Sequence, residues 1–522
     1  MFASTFENFS FMQNVTTYPK LVALLAGAAL PLAFAPVGLF PLGFLAPVVL
    51  HLLWEGASPR QAFGYGYLFG VACFGVGVSW IFISIHDMGH LPLELAGFIT
   101  ALFIAFLALF PALQGYLTAR FLSGYSPIHA VFAFPALWVA FEILRGWVMT
   151  GFPWLYLGYS QMDTPLRGLA PVLGVLGISF ATAATGGLLL VLVRSKSWPA
   201  RLGWALPLLI LWGGAAALAT IEWTVPNGES LQVSLLQVAI PQQVRWQPEQ
   251  RAANIRRYLE LTRQHWGARL IIWPENALTI FYHDAVEFLE GIANEAQEHG
   301  ADLLIGLPVM DPNIHYNGES APRRYYNALV GLPTGQFYLK HHLVPFTEFL
   351  PLKSLLGPVV SFFQVPMSDF SHGPEAQKPL LLAGHRLGIS ICYESAFSRE
   401  IAAALPSAEI LVNVSNDGWF GNSLAPYQNL QMAQMRALEM GRWLLRDTNT
   451  GISAIIGPNG RLAASSPLFQ DAVLTADVQP TVGATPYVHL GDSPVWALIA
   501  LGLFAGRTMT RVYWTTSQEL PT

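Results

Sequence analysis

The run 95-LAGFITALFIAFLALFPALQGYL-117 contains no charged side chain and is long enough to cross the hydrocarbon core of a bilayer as a helix. Only 11% of the 522 residues are charged, whereas soluble domains average about 25%. Further apolar runs of spanning length occur on either side of it, at Leu21–Val37, Leu39–Trp54, Phe63–Ile85, Ile128–Val148, Leu169–Val193 and Leu202–Ala219. The sequence therefore predicts an integral membrane protein.

The composition changes after the seventh run. Charged and turn residues return from about Glu222 to Gly491, a length sufficient for one domain with its own core. Pro494–Ala505 then supplies a short eighth span. We expect residues 1–220 to form a membrane domain of seven transmembrane helices, 221–490 a soluble domain, and 491–522 an eighth helix with a tail.

The positions of the cations predict the orientation. A cytoplasmic N-terminus places most lysines and arginines near the spans inside and leaves only Arg145 and Arg167 beside the outer connections. Seven crossings then deliver the soluble domain to the opposite, periplasm-like face. An alternative is that Leu21–Ala35 is a cleaved signal peptide ending in Ala33-Phe34-Ala35, which would invert this orientation.

The soluble region alternates between strand and helix patterns. Strand-like runs occur at Leu231–Gln237, Leu270–Trp273, Leu303–Val309, Asn327–Leu332, Gln336–Lys340, Leu387–Cys392, Ile410–Val414 and Ser453–Gly457. Helical patterns occupy Pro248–Gln264, Ala285–His299 and Gln428–Gly441. This alternation favours a layered α/β fold.

Charge and cysteine content exclude some classes of function. The net charge of −5 offers no broad basic surface, so we expect no nucleic-acid partner. Two cysteines cannot form a disulfide framework. Cys73 lies in an apolar run, whereas Cys392 lies in the polar region and is a candidate for chemistry.

Three short motifs lie where predicted strands end. They are 272-IWPEN-276, 338-YLKH-341 and 389-ISICYE-394. Side chains at strand ends of α/β sheets converge on ligands, so Glu275, Lys340 and Cys392 form a plausible catalytic set. A thiol nucleophile needs a base, and a cation stabilises the oxyanion that its attack creates. Taken singly, Cys392 could be an ordinary buried hydrophobe and Glu275 a helix cap.

These blocks, in this order, resemble the nitrilase superfamily, and 413-NVSNDGWF-420 looks like the segment that follows its cysteine strand. The resemblance implies an αββα sandwich. It also implies that Glu275 is the general base, Lys340 the oxyanion stabiliser and Cys392 the nucleophile, with the backbone N–H of Tyr393 completing the oxyanion hole.

The membrane region narrows the resemblance to the membrane-bound, lipoprotein-acylating branch of that superfamily. The motifs that carry it are 142-EILRGW-147, 150-TGFPWL-155 and 158-GYSQ-161. Residues that match the family pattern around the site are Trp246 and Glu348, and we add Tyr393 and Glu394 beside the nucleophile as supporting residues.

This resemblance implies ping-pong transfer of a fatty acyl chain, through a Cys392 thioester, from a membrane phospholipid to the α-amino group of a diacylglyceryl-cysteine lipoprotein. It also implies a bacterial inner-membrane location with the α/β domain extracytoplasmic, and no metal or diffusible cofactor. We expect a monomer in the lipid bilayer.

Several readings stay open at this point. Trp246 could serve the site or pack ordinarily, Glu348 could orient Lys340, serve the amine or be a solvated carboxylate, and Leu355–Val365 could be a mobile lid or a core loop. His86, Asp87, His90 and Glu94 have ligand-like spacing but lie in a Gly- and Pro-containing connection, so we expect no metal there.

The alternative functions are a membrane-tethered amidase, a transporter and a noncatalytic lipoprotein-binding protein.

Glu142 and Arg145 are one helical turn apart and can share one face. The alternatives for them are a contact with a lipid head group or a docking domain, or a structural pair where the helix leaves the bilayer.

Overall fold

The computed structural model describes residues 17–122, 126–310, 324–350 and 369–518. The chain divides into two compact units. The first consists of Met1–Phe82, Leu93–Ile221 and Asp492–Thr522, and the second of Ile83–Pro92 and Glu222–Gly491. The short segment Ile83–Pro92 is thus the part of the N-terminal region that belongs to the second unit.

The first unit is helical. Its α-helices before the second unit are α1 (Pro19–Ala29), α2 (Leu42–Trp54), α3 (Pro59–Gly77), α4 (Trp80–Ile83, at the boundary of the units), α5 (Leu93–Phe121), α6 (Phe134–Arg145), α7 (Ala170–Arg194) and α8 (Trp198–Leu218). A further helix, Ser493–Gln518, follows the second unit. Short 3-10 and π turns join several of them.

Three helical segments in the described residues are long and apolar enough to cross a membrane, namely Leu93–Phe121, Pro165–Arg194 and Trp198–Leu218. Helix α3 and the segment Trp80–Met88 pass the same test together but are bent by 54°. Pro19–Ala33 and Leu42–Trp54 are shorter apolar helices. The predicted class, a multi-span helical membrane region joined to an α/β domain, is confirmed. The predicted number of spans, seven before the soluble domain and one after it, stays a prediction.

Two predicted spans differ from the structure in continuity. The run Phe63–Ile85 is interrupted between α3 and α4, where Gly77 and Ser79 are poor helix formers. The run Ile128–Val148 contains a π turn, His129–Ala133, before α6. An apolar run predicts burial in lipid, but hydropathy does not record where a helix bends.

Glu142 and Arg145 in α6 are both buried and bond the loop that follows this helix. Glu142 Oε1 accepts from the backbone N–H of Leu157 at 2.7 Å, and Arg145 Nη1 donates to the carbonyl oxygen of Phe152 at 3.0 Å. These bonds anchor the loop after α6, which supports the structural alternative for this pair.

In its described residues, the second unit forms two six-stranded sheets. The first has the order β13-β2-β3-β4-β5-β6 and the second β12-β11-β10-β9-β8-β7. Their strands are β2 (Leu231–Gln237), β3 (Leu270–Ile272), β4 (Asp302–Met310), β5 (Tyr325–Leu332), β6 (Gln336–Leu339), β7 (Leu380–Leu382), β8 (His385–Ile391), β9 (Ile410–Ser415), β10 (Leu444–Thr448), β11 (Ala454–Ile456), β12 (Leu462–Ser465) and β13 (Ala472–Val478). A small pair, β1 (Thr224–Pro226) and β14 (Thr481–Gly483), lies apart from them.

Helices cover the outer faces of both sheets. They are α9 (Gln242–Arg245), α10 (Pro248–Gln264), α11 (Tyr282–Glu298), α12 (Ser398–Ala402), α13 (Ala425–Met440) and α14 (Pro486–Leu490).

The alternation of side chains along the strands produces the layers. In β2, Val233 and Leu235 belong to the cluster packed between the sheets, together with Ile389 and Val412 of the second sheet. Leu236 points to the other face and packs with residues of the first sheet's helices. A matching cluster joins the second sheet to its helices. The unit is an αββα sandwich, as predicted.

The predicted strands agree with the observed ones to within two residues at either end, and the predicted helices to within three. The prediction missed the short strands β1, β7, β12 and β14, each three or four residues long, and β13, which pairs with β2. It also missed the buried central strand β10, because Arg446 and Asp447 interrupt its apolar pattern. Hydropathy cannot identify a strand whose buried side chains are charged.

Candidate active site

Each residue of the predicted triad follows a strand. Glu275 lies three residues after β3, Lys340 directly after β6 and Cys392 directly after β8. Strands β3 and β6 belong to the first sheet and β8 to the second. The site is therefore formed where the ends of strands from both layers meet.

The ammonium group of Lys340 lies between two carboxylates. Its Nζ atom is 3.5 Å from Glu275 Oε1 and 2.8 Å from Glu348 Oε2. The Lys340 side chain is 1% exposed, and both glutamates are buried. Burial by itself lowers the pKa of a lysine, but the attraction of Glu348, Glu275 and Cys392 outweighs it and raises the pKa of Lys340. Lys340 is thus a permanent cation in this site.

Glu348 is held by Lys340 and by the backbone, not by solvent. Its Oε2 atom also accepts a hydrogen bond from the Val344 N–H at 2.8 Å. The interpretation as a solvated carboxylate is therefore wrong, because the side chain is buried and paired. Its contacts support the interpretation that Glu348 orients Lys340.

Asn327, in the middle of β5, links the two carboxylates. Its side-chain amide donates to Glu275 Oε1 at 2.6 Å and to Glu348 Oε1 at 3.1 Å. The other oxygen of Glu275, Oε2, accepts from the backbone N–H of Asn416 at 2.8 Å. These bonds fix the Glu275 carboxylate in one orientation. In the sequence Asn327 is predicted only as part of a strand, although an amide in a buried apolar run is a signal of a local polar contact.

Cys392 begins a 3-10 turn with a left-handed backbone, φ +53°. Residues other than glycine seldom adopt this conformation, and it recurs at functional sites. The residue as a whole is partly exposed. Burial of the thiol and the negative charge of Glu275 raise its pKa to about 12, and Lys340 opposes this rise. The resting group is therefore a thiol, so nucleophilic attack requires a base.

Glu394 joins the Cys392 turn to the Lys340 turn. Its Oε2 accepts from the Ile391 N–H at 2.6 Å, and its Oε1 accepts from the His341 and His342 N–H groups at 2.7 and 3.1 Å. The hydroxyl of Tyr338 donates to Oε2 at 3.0 Å. Glu394 thus links the end of the first sheet that carries Lys340 to the end of the second sheet that carries Cys392.

Tyr393, between Cys392 and Glu394, is half-buried. Its ring packs against His342 and Phe397, with centroid distances of 5.5 and 5.2 Å. The ring therefore fixes the backbone that follows the nucleophile. The assignment of its N–H group to an oxyanion hole stays a prediction.

Trp246, which the resemblance associates with the site, is half-exposed. Its side chain is 47% exposed, and within the described residues no hydrogen bond or ring contact joins it to Glu275, Lys340 or Cys392. The preceding residue, Arg245, is buried and makes the contact instead, donating to the carbonyl oxygens of Glu275 and Asn276. Leu355–Val365, the predicted lid, lies outside the described residues.

Comparison with known proteins gives matches over nearly the whole chain. The model of the apolipoprotein N-acyltransferase N-terminal domain matches residues 26–188, and that of carbon-nitrogen hydrolases matches residues 232–487. An apolipoprotein N-acyltransferase of Methylococcus capsulatus is 46% identical over 93% of this chain and 94% of its own. One from Azotobacter vinelandii is 44% identical over 92% and 93%, respectively.

Solved structures similar to this chain include a carbon-nitrogen hydrolase and a member of the nitrilase superfamily. The Helicobacter pylori carbon-nitrogen hydrolase is 16% identical, covering 52% of this chain and 93% of its own, with a TM-score of 0.36. Saccharomyces cerevisiae Nit3, of the nitrilase superfamily, is 17% identical over 48% and 91%, with a TM-score of 0.35.

Proposed function

The chain belongs to the apolipoprotein N-acyltransferase family, and from this premise we propose that it transfers a fatty acyl chain from a membrane phospholipid to the N-terminal α-amino group of a diacylglyceryl-cysteine lipoprotein. The chain is an acyltransferase with a nitrilase-like domain. The observation that carries the proposal is the buried cluster in which Lys340 contacts Glu275 and Glu348 beside the Cys392 thiol.

The first half-reaction forms a thioester. Glu275 removes the proton of the Cys392 thiol as sulfur attacks the carbonyl carbon of a phospholipid ester, and the negative oxygen of the tetrahedral intermediate faces Lys340. The intermediate collapses by breaking the carbon–oxygen bond, and the Glu275 proton passes to the leaving alkoxide. Lysophospholipid departs and the acyl group stays on sulfur.

The second half-reaction forms an amide. The lipoprotein amine attacks the thioester carbonyl and loses a proton to Glu275, and a second oxyanion forms against Lys340. The carbon–sulfur bond then breaks and the sulfur regains a proton. Because a thioester is more reactive toward amines than the oxygen ester from which it came, this second step runs downhill.

Mass spectrometry of the full-length protein mixed with phospholipid alone tests the relay. We expect one acyl chain on the peptide that contains Cys392 and none on the peptide that contains Cys73, because Cys73 is buried in α3. Addition of a diacylglyceryl-cysteine peptide should then discharge the adduct into an N-acylated product. Release of free fatty acid without N-acylation would identify an amidase-like hydrolase and contradict the proposal.

We also propose that the second unit lies on the periplasmic side of a bacterial inner membrane, as the distribution of cations predicts. Reporter enzymes fused after Glu222 should therefore behave as periplasmic, and those fused after Arg507 as cytoplasmic. The reverse pattern would separate the site from exported lipoproteins. A fusion after Arg194, predicted inside, provides the matched control.

A further inference from the structure

Ser415 is the last residue of β9 and is fully buried. Strands β8 and β9 are parallel neighbours, and Ile391 pairs with Val414. The next residues of the two strands, Cys392 and Ser415, therefore leave the sheet side by side. Burial raises the pKa of the Cys392 thiol, and the Ser415 hydroxyl lies close enough to it to oppose that rise.

The Ser415 hydroxyl also donates a hydrogen bond to Asp417 Oδ1 at 2.8 Å. Asp417 is an ionised acceptor, since Arg446 Nη2 lies 2.9 Å from its Oδ2 and both side chains are fully buried. A hydroxyl has one hydrogen, so in this arrangement Ser415 offers a lone pair to the Cys392 S–H group. In the resting geometry the Ser415 hydroxyl is thus placed to accept a hydrogen bond from a protonated Cys392.

A thiolate has no hydrogen and can only accept hydrogen bonds, so it needs a donor where the thiol needed an acceptor. Rotation of the hydroxyl about its C–O bond would turn the hydrogen from Asp417 to the sulfur. Asp417 would keep two partners, Arg446 and the Asn429 amide, which lies 3.2 Å from Oδ1. The rotation therefore leaves no buried carboxylate without a partner.

We propose that Ser415 is a further catalytic residue, whose hydroxyl accepts from the Cys392 thiol at rest and donates to its sulfur whenever that sulfur carries negative charge. In the proposed acyl transfer, on which this role in turnover rests, the sulfur gains negative charge twice. It does so when the thiol is deprotonated for attack and when the carbon–sulfur bond of the thioester breaks. The same hydroxyl serves both steps without transferring a proton of its own.

The test is the rate at which Cys392 reacts with iodoacetamide in the full-length protein, read by mass spectrometry of its peptide across a pH series. Hydrogen bonds to charged groups contribute about 1.5–3 kcal/mol, so Ser415→Ala should lower the rate constant about tenfold or more at each pH. Ser415→Thr, which keeps a hydroxyl, should restore most of the rate. Ser234→Ala is the matched control, because Ser234 is also buried but bonds Thr475, and its rate should equal that of the wild type.

A folded Ser415→Ala protein that reacts at the wild-type rate would overturn the proposal, as would a Ser415→Thr protein no faster than Ser415→Ala. If Ser415→Ala does not fold, Ser415→Gly replaces it in the same comparison. The alkylation readout does not require acyl transfer. Absence of an acyl adduct in the wild type would therefore refute the proposed function without affecting this test, and an unchanged alkylation rate would refute only the role of Ser415.

Discussion

Replacement of Cys392 by alanine should abolish acyl transfer, because no other thiol is near the Glu275–Lys340 cluster in the described residues and the ester would meet no comparable nucleophile. Both the acyl adduct and the N-acylated product should fall to background. The measurement is transfer of a labelled acyl chain from phospholipid to a diacylglyceryl-cysteine peptide by purified protein.

The matched control for this loss is Cys73→Ala. Cys73 is buried in α3 of the first unit, and its replacement should change transfer little. Measurable N-acylation by Cys392→Ala would contradict the thioester route and would require direct attack of the amine on the phospholipid. A similar loss in both variants would point to misfolding instead, which thermal unfolding would detect.

Replacement of Lys340 by alanine should slow both half-reactions by about 100- to 1,000-fold, the effect of removing one oxyanion donor. Lys340 is the cation that faces Cys392, and it also separates Glu275 from Glu348. Single-turnover experiments can follow the two steps separately, as thioester formation from phospholipid and as discharge of preformed thioester by the amine.

Lys378→Ala is the control for that experiment, because Lys378 is an exposed lysine and its loss should leave both rates unchanged. Slowing of thioester formation alone would restrict Lys340 to the first step. Wild-type rates in both steps would show that the cation has no part in catalysis, and the oxyanion would have to be stabilised by backbone N–H groups.

The sequence was sufficient to place Glu275, Lys340 and Cys392 at the ends of strands, and the resemblance to the nitrilase superfamily singled them out as a set. Asn327 was not predictable as a site residue, since it contacts Glu275 across 52 positions of the chain and only the pairing of β4 with β5 places it there. The same holds for Ser415, whose position beside Cys392 depends on the register between β8 and β9. Patterns along a sequence identify strand ends, but register decides which ends touch.

The surroundings of Glu275 provide a second contact that could not be predicted from the sequence. Trp246 was singled out by resemblance, whereas the structure places Arg245 against the Glu275 backbone. A buried arginine that binds carbonyl oxygens leaves no hydropathy signal, because charged residues in a helix-like segment are normally read as solvated. Arg245 holds the turn that carries Glu275, the proposed general base, a contact that geometry reveals and composition does not.

The cluster of Lys340, Glu275 and Glu348 beside Cys392 also determines how the total charge of the site changes when the thiol loses its proton. With both glutamates ionised and the thiol neutral, the four groups Glu275, Glu348, Lys340 and Cys392 carry a total formal charge of −1. Passing the thiol proton to Glu275 leaves this total unchanged, whereas losing the proton to bulk water would change the total to −2. A low-dielectric site opposes the second process and not the first. In the proposed mechanism the nucleophile can therefore be activated without an ion entering or leaving the buried cluster.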